Sequence, residues 1–230
     1  MKLMTRAVAV LALIVACGQA RADLIVNGSF EAPPLPIILG LGGAQNFNAP
    51  GGSIPNWTIG VPSGSEATLH ANAAPPLPIV STPYGNQWME LNFGSSISQS
   101  GINLTPGQLY RLTFAMSSES LTPPQATVNV DITQALPGGG VFTDSSVASL
   151  QFSSWSTQTF DFIAVGTDAT LTFTALIGSD GITPIDVGLD NVSLNAVPQP
   201  ASWSLLGIGG ALGLALCGWR RKSLNPCIAG

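Results

Sequence analysis

Twelve carboxylates are the main chemical resource of this 230-residue chain, and all of them lie between Asp23 and Asp190. The usual catalytic partners are scarce around them. The single histidine, His70, sits in the low-complexity stretch LHANAAPP, and the three cysteines, Cys17, Cys217 and Cys227, fall outside 23–195. No GxSxG, HExxH or phosphate-loop glycine pattern occurs. Glu66, Glu90 and Glu119 are candidates for a glycosidase pair, which needs two acids roughly 5–9.5 Å apart across the scissile bond. Nothing in their spacing selects two of the three, so an enzyme is the weakest reading. Sugar binding needs less: an aromatic face beside amides or carboxylates. Tyr84 and Trp88, with Asn86, Gln87 and Glu90 beside them, supply that set, although Trp88 shares a strand with Met89 and Leu91 and one face of that strand must be core. Trp57, after Pro55-Asn56, and Trp155, in a serine-rich turn, are read as structural.

Charge narrows the partners. Only 8% of residues are charged, against about 25% in an average domain. Six of the seven basic residues lie in the two end segments, which leaves Arg111 alone among twelve carboxylates, a net of −11 for residues 23–195. Such a surface repels phosphate, which excludes nucleic acid and argues against charge-driven docking on anionic lipid.

The elements that must position these groups alternate with a period of two. Tyr110, Leu112, Phe114 and Met116 share one face, as do Ala126, Val128, Val130 and Ile132, and Leu171, Phe173, Ala175 and Ile177, each opposite polar, threonine-rich neighbours. Turn signals such as Thr105-Pro106-Gly107 and Pro137-Gly138-Gly139-Gly140 separate them. The pattern predicts a single all-β sandwich or jelly roll over 23–195, without disulfides. Ile185, Val187 and Leu189 are odd-numbered while Val192 and Leu194 are even, which predicts a bulge near Asp190-Asn191. Residues 32–56 and 71–83, rich in Pro, Gly and Ala, are expected as long loops.

Both ends read as addresses. Lys2 and Arg6, the apolar run Ala7–Ala16 and the cleavage pattern Ala20-Arg21-Ala22 predict a secretory signal helix over 1–22, removed by signal peptidase. Ile14-Val15-Ala16-Cys17 leaves a second option open, a lipobox with Cys17 lipidated. From Trp203 to Trp219 runs an uncharged segment with a tryptophan at each end, followed by Arg220-Arg221-Lys222. This predicts a membrane helix over 203–219 with the basic triplet and a short tail, 223–230, in the cytoplasm, and the domain outside. With Val197-Pro198-Gln199-Pro200 before it, the segment 197–222 resembles the bacterial PEP-CTERM sorting tail, whose usual opening is Val-Pro-Glu-Pro. The resemblance implies processing by an exosortase and delivery to the cell surface or extracellular matrix. Gln199 departs from the usual Glu, and eight residues trail the basic cluster.

The middle region carries a second resemblance. Asn27-Gly28-Ser29-Phe30-Glu31, Ile54-Pro55-Asn56-Trp57, Gln87-Trp88-Met89-Glu90-Leu91, Ile97-Ser98-Gln99-Ser100, Thr105–Phe114 and Asp190-Asn191-Val192-Ser193-Leu194 follow one another in an order similar to that of galactose-binding-like jelly rolls. That is the fold of many carbohydrate-binding modules and of a plant cell-wall family of unknown activity. In related modules the opening and closing segments hold a structural calcium, and here that implies Glu31 and Asp190, a carboxylate pair suited to a hard cation. The alternative is a turn cap at Glu31 and a backbone contact at Asp190. The expected function is therefore non-catalytic binding or organising of extracellular polysaccharide, with a purely structural surface or matrix protein as the alternative.

Overall fold

The computed structural model describes residues 23–36, 43–49, 51–72, 81–120, 122–144, 152, 154–177 and 180–198. The expected signal with Ala20 and Ala22, the rest of the sorting motif (Gln199, Pro200), the segment 203–219 and Arg220, Arg221 and Lys222 lie outside these residues. The described residues form no helix and thirteen strands. In chain order these are β1 (Ala44–Phe47), β2 (Gly52–Ile54), β3 (Trp57–Gly60), β4 (Ala67–Ala71), β5 (Gln87–Leu91), β6 (Ser96–Asn103) and β7 (Leu109–Ser118). They continue as β8 (Thr127–Ile132), β9 (Ala135–Leu136), β10 (Gly139–Thr143), β11 (Ser156–Ala164), β12 (Asp168–Leu176) and β13 (Val187–Ala196). One sheet has the order β1-β4-β5-β13-β7-β11-β9, the other β10-β8-β12-β6-β3-β2. From β5 onward, successive strands fall alternately in the two sheets, the crossing pattern of a jelly roll. The stretch expected as a loop over 32–56 is thus interrupted by β1 and β2, short edge strands whose pairing comes from β4 and β3 rather than from their own composition.

The alternating residues meet between the sheets as the sequence pattern requires. Leu112, Phe114, Met116, Val128, Val130, Leu171, Phe173 and Ala175 are all at most 1% exposed. An aromatic file threads this core: Phe30 to Trp57 (5.5 Å), Trp57 to Phe173 (6.4 Å), Phe173 to Phe114 (5.0 Å) and Phe114 to Phe142 (5.3 Å). Each such ring, once buried, is worth about 1.5–3 kcal/mol. Trp57 is structural as expected, its Nε1 donating to the Asn27 carbonyl at 3.0 Å.

The N-terminal segment 23–36 forms no strand; it is strapped along β13 and under β5 by side chains. Gln99 bonds both backbone groups of Val26 (2.9 and 2.8 Å), and the Gln87 amide donates to the Phe30 and Pro33 carbonyls (2.6 and 3.0 Å). The predicted bulge is present: the register of β13 on β7 shifts between Asp190 and Ser193, with Asn191 at φ 50°. Val192, just past the bulge, donates to the Gly28 carbonyl at 2.8 Å. A β-carbon on Gly28 would lie 1.9 Å from the Val192 carbonyl oxygen, so the strap fits only with glycine there. Replacing Gly28 with Ala is expected to cost about 2–3 kcal/mol through this overpacking. Urea unfolding checks it, and an unchanged midpoint would show that the contact is not tight.

Candidate functional site

The outward face of the seven-stranded sheet carries the chemistry. In β5, Met89 and Leu91 point to the core, so Trp88 and Glu90 point outward, beside His70 of β4 and Gly188 of β13. Phe152 and Trp155 lie over this face. A β-carbon on Gly188 would sit 3.2 Å from each of their rings, so the glycine makes room for both. Trp88 is 0% exposed, stacked on His70 (centroids 4.4 Å, 11°) and in contact with Phe152 (4.9 Å) and Trp155 (5.7 Å, 77°). Its Nε1 is buried without an acceptor. The Tyr84/Trp88 platform expected from sequence therefore comes apart: Trp88 is the floor of a second, aromatic layer and offers no face to a ligand. The half-exposed rings are Tyr84 and Trp155, edge to face with centroids 6.5 Å apart. Trp155 was read as structural, and its Nε1 does donate to the Ser81 carbonyl at 2.9 Å, yet the residue stays partly exposed. Sequence spacing could not find this pair, because 71 positions separate its members.

Tyr84 is placed by Thr82, whose hydroxyl accepts from the Tyr84 backbone N–H at 3.1 Å and donates to Asp190 Oδ2. The tyrosine hydroxyl meets the Thr157 hydroxyl at 3.3 Å. Asn86 is exposed beside it. Glu31 accepts from the backbone N–H groups of Asn86 and Gln87 through Oε1, at 2.6 and 3.0 Å. Thus Glu31 fixes the turn that carries Asn86, and Asp190 fixes the turn that carries Tyr84.

The structure does bring Glu31 and Asp190 into electrostatic contact. Asp190 is fully buried, and burial first, then the Glu31 charge, push its pKa up to about 7 against the opposing hydrogen bonds from Thr82 and Asn191. Two adjacent carboxylates with no basic side chain near suit a hard cation chemically; Arg111, the sole Lys or Arg of residues 23–195, is taken by Asp161 in a two-pronged pair at 2.7 Å. No group of three His, Cys, Asp or Glu among the described residues converges as a metal site. Calcium here would need carbonyl, hydroxyl and water oxygens to reach its usual six to eight ligands. Both carboxylates also act as in the alternative reading, as a turn cap and a backbone contact.

Glu90 belongs to a different group. It pairs with His70, and its charge is one of those that act on Asp186, whose pKa rises to about 7 through burial, then through the charges of Glu119 and Glu90.

The family model described as "Protein of unknown function (DUF642)" matches residues 23–193. The chain belongs to the DUF642 family. No curated protein matches this DUF642 chain. Among solved structures it is similar to TmCBM61, determined with β-1,4-galactotriose, at 12% identity over 77% of this chain and 100% of that one, with a TM-score of 0.42. It is also similar to the CBM22-1 xylan-binding domain of Xyn10C from Paenibacillus barcinonensis, at 11% identity over 68% of this chain and 94% of that one, TM-score 0.39. A third likeness is to the K1 adhesin domain of Lys-gingipain from Porphyromonas gingivalis W83, at 13% identity over 68% and 100%, TM-score 0.43. At these scores the likenesses add nothing beyond the two-sheet sandwich.

The two buried acids set a pH dependence for the DUF642 domain. A carboxyl whose pKa rises from 3.8 to about 7 on folding stabilises the fold below pH 4 and loses that contribution as pH climbs through 7. In EDTA, stability is therefore expected to fall between about pH 5 and 8, by a few kcal/mol at most. Asp190→Asn and Asp186→Asn should each flatten the profile. Urea midpoints across that range provide the test, and a rise toward pH 8 would contradict it.

Proposed function

We propose that this domain is a non-catalytic binder of extracellular polysaccharide, carried on a chain that is exported and sorted to the outer side of a membrane by its two ends. The observation behind the binding role is the half-exposed Tyr84–Trp155 pair with exposed Asn86 beside it. A pyranose presents an apolar C–H face edged by hydroxyls; the two rings suit the face, and the Asn86 amide and Thr157 hydroxyl suit the edge. The net charge of −11 favours neutral, hydroxyl-rich polymers over polyanions.

A structural calcium belongs to the same proposal. Glu31 and Asp190 would hold it, with the Thr82 hydroxyl nearby, and the ion would neutralise two carboxylates that otherwise repel each other. It would act on binding indirectly, because these acids tie down the turns bearing Asn86 and Tyr84.

One observation favours a second reading, a structural surface or matrix protein without a discrete ligand. The polar atoms of both rings are already used, Trp155 on Ser81 and Tyr84 on Thr157, so the pair also works as a fastener between loops. Migration of the full chain in non-ionic detergent through gels cast with neutral polysaccharides separates the two. The binding role predicts retardation by at least one polymer, weakened about tenfold, ~1.4 kcal/mol, by Tyr84→Ala or Trp155→Ala. EDTA is expected to weaken it as well, and added calcium to raise Tm. No retardation by any polymer would leave the structural reading standing; retardation with an unchanged Tm in calcium would remove the metal alone.

Sorting rests on the sequence order of motif, apolar segment and basic triplet, with signal peptidase and exosortase as the processing enzymes. Among the described residues Val197 is the last with backbone anchors: its N–H donates to the Leu109 carbonyl and its own carbonyl accepts from Gln108, at 2.9 and 2.8 Å, while Pro198 is exposed, which supports a motif accessible from its first residues. Mass spectrometry of protein recovered from the cell exterior is expected to find a C-terminus near Pro198–Pro200. An intact Gly230 terminus on all surface protein would refute processing.

A further inference from the structure

A separate cavity lies at the end of the sandwich, between the β3–β4 turn, the β5–β6 turn and the residues leading into β13. Its volume is about 390 Å³, and its lining includes Ser63, Ser65, Asn92, Phe93 and Asp186. That volume falls within the range of small-ligand sites, roughly 300–1,000 Å³. None of its residues belongs to the Tyr84–Trp155 site.

Three features of this cavity call for an occupant. Phe93 is 43% exposed, and its backbone leaves it no freedom to turn inward. Its carbonyl accepts from the Ser65 hydroxyl at 3.0 Å, and the N–H of the next residue, Gly94, donates to the Ala175 carbonyl at 3.0 Å. The Ser65 hydroxyl is itself fixed against Ser95 at 2.9 Å. The second feature is Asn92 Oδ1, a buried acceptor with no donor. Such atoms are rare in folded proteins and ask for a donor from elsewhere. The third is Asp186, whose carboxyl is a further oxygen acceptor in the same lining. The cavity therefore offers one aromatic face and two oxygen acceptors held on a rigid frame. A matching ligand has an apolar face and at least two hydroxyl donors along one edge.

We propose that this cavity binds a single terminal pyranose unit through stacking on Phe93 and hydroxyl donation to Asn92 and Asp186. In its ligand class the proposal rests on the polysaccharide reading above; in its position it is independent of it. A terminal unit fits better than an internal one, because the cavity is bounded by three turns at one end of the sandwich, not laid along a sheet face. Its place on the domain agrees. β13 begins just after Asp186 and runs to Ala196, so the cavity and the departing residue Val197 stand a strand's length apart, roughly 30 Å at ten residues. The cavity thus lies at the opposite end of β13 from Val197.

Saturation-transfer NMR of the full chain in detergent, with the methyl pyranosides of galactose, glucose and mannose as probes, tests this directly. At least one glycoside is expected to receive saturation, most strongly at its ring C–H protons. Measured in a Tyr84→Ala/Trp155→Ala background, which removes what the other site contributes, Phe93→Ala and Asn92→Ala should each reduce the remaining signal at least fivefold, and Phe93→Trp should retain it. Phe93 is solvent-exposed, so loss of the signal in a Phe93→Ala protein with an unchanged Tm cannot be attributed to unfolding. Two results overturn the proposal: no transfer to any glycoside, or transfer unaffected by the Phe93 and Asn92 substitutions. If the proposal fails while polysaccharide gels still retard the chain, the error lies in the cavity alone. Loss of both would remove the polysaccharide reading too.

Discussion

The surface features of this domain hang from one close backbone contact, Gly28 against Val192. There the N-terminal strap meets the bulge of β13 with no space for a side chain. Two residues on, Phe30 enters the core against Trp57. The next residue, Glu31, is thereby delivered to the N–H groups of Asn86 and Gln87. Opposite, the same bulge turns Asp190 toward Thr82, which in turn holds Tyr84. A displaced strap would move both acids and, with them, the loop that carries Asn86 and Tyr84. Bulges next to sites that must aim a side chain are a recurrent device, and here the aimed group is the Asp190 carboxylate.

The second aromatic layer follows from an accounting problem on the outer sheet face. Trp88 points away from the core, where an exposed indole would be an apolar liability, and His70, Phe152 and Trp155 close over it. Gly188 makes the closure possible, since any side chain there would lift the lid. The domain thus has a main core between its sheets and a thin satellite outside one of them. What the satellite leaves partly open are the rims of Tyr84 and Trp155.

The sandwich was legible because its signal is local. A run such as Tyr110, Leu112, Phe114, Met116 states which face is buried without reference to any other segment, and the odd-to-even switch between Leu189 and Val192 states where the ladder must slip. The order of short motifs was legible too, and the structure supplies its physical reason. Gln87 and Gln99 look like binding amides in the sequence, but they are buried clamps on the backbone of the strap. β1 and β2 were hidden because edge strands this short are specified by their partners. The aromatic pair failed for a related cause. Whether an outward tryptophan is a platform or a floor depends on what a distant loop places over it, and the loop bearing Trp155 lies 67 positions from Trp88. The cavity at Phe93 was invisible for the same reason, being assembled from three turns whose residues are ordinary turn residues.

Charge decides what such a surface can recognise. A domain with one arginine among twelve carboxylates cannot neutralise its acids internally, and the arginine it has is used by Asp161. The acids that stay near water need no partner. The two whose pKa burial raises to about 7, Asp186 and Asp190, are left with a proton, hydroxyl and amide donors, or a cation from outside. Each therefore presents an acceptor-rich environment, and so does the unpaired oxygen of Asn92 beside Asp186. Acceptors in excess of donors select ligands that bring donors. Polyphosphates and uronic polymers bring the reverse, more acceptors and more negative charge. Neutral sugars bring hydroxyl donors with an apolar face, and three of the rings that reach the surface, Phe93, Tyr84 and Trp155, lie near such oxygens. The imbalance that argues against nucleic acid and anionic lipid is the same one on which the proposed binding of a hydroxyl-rich polymer rests.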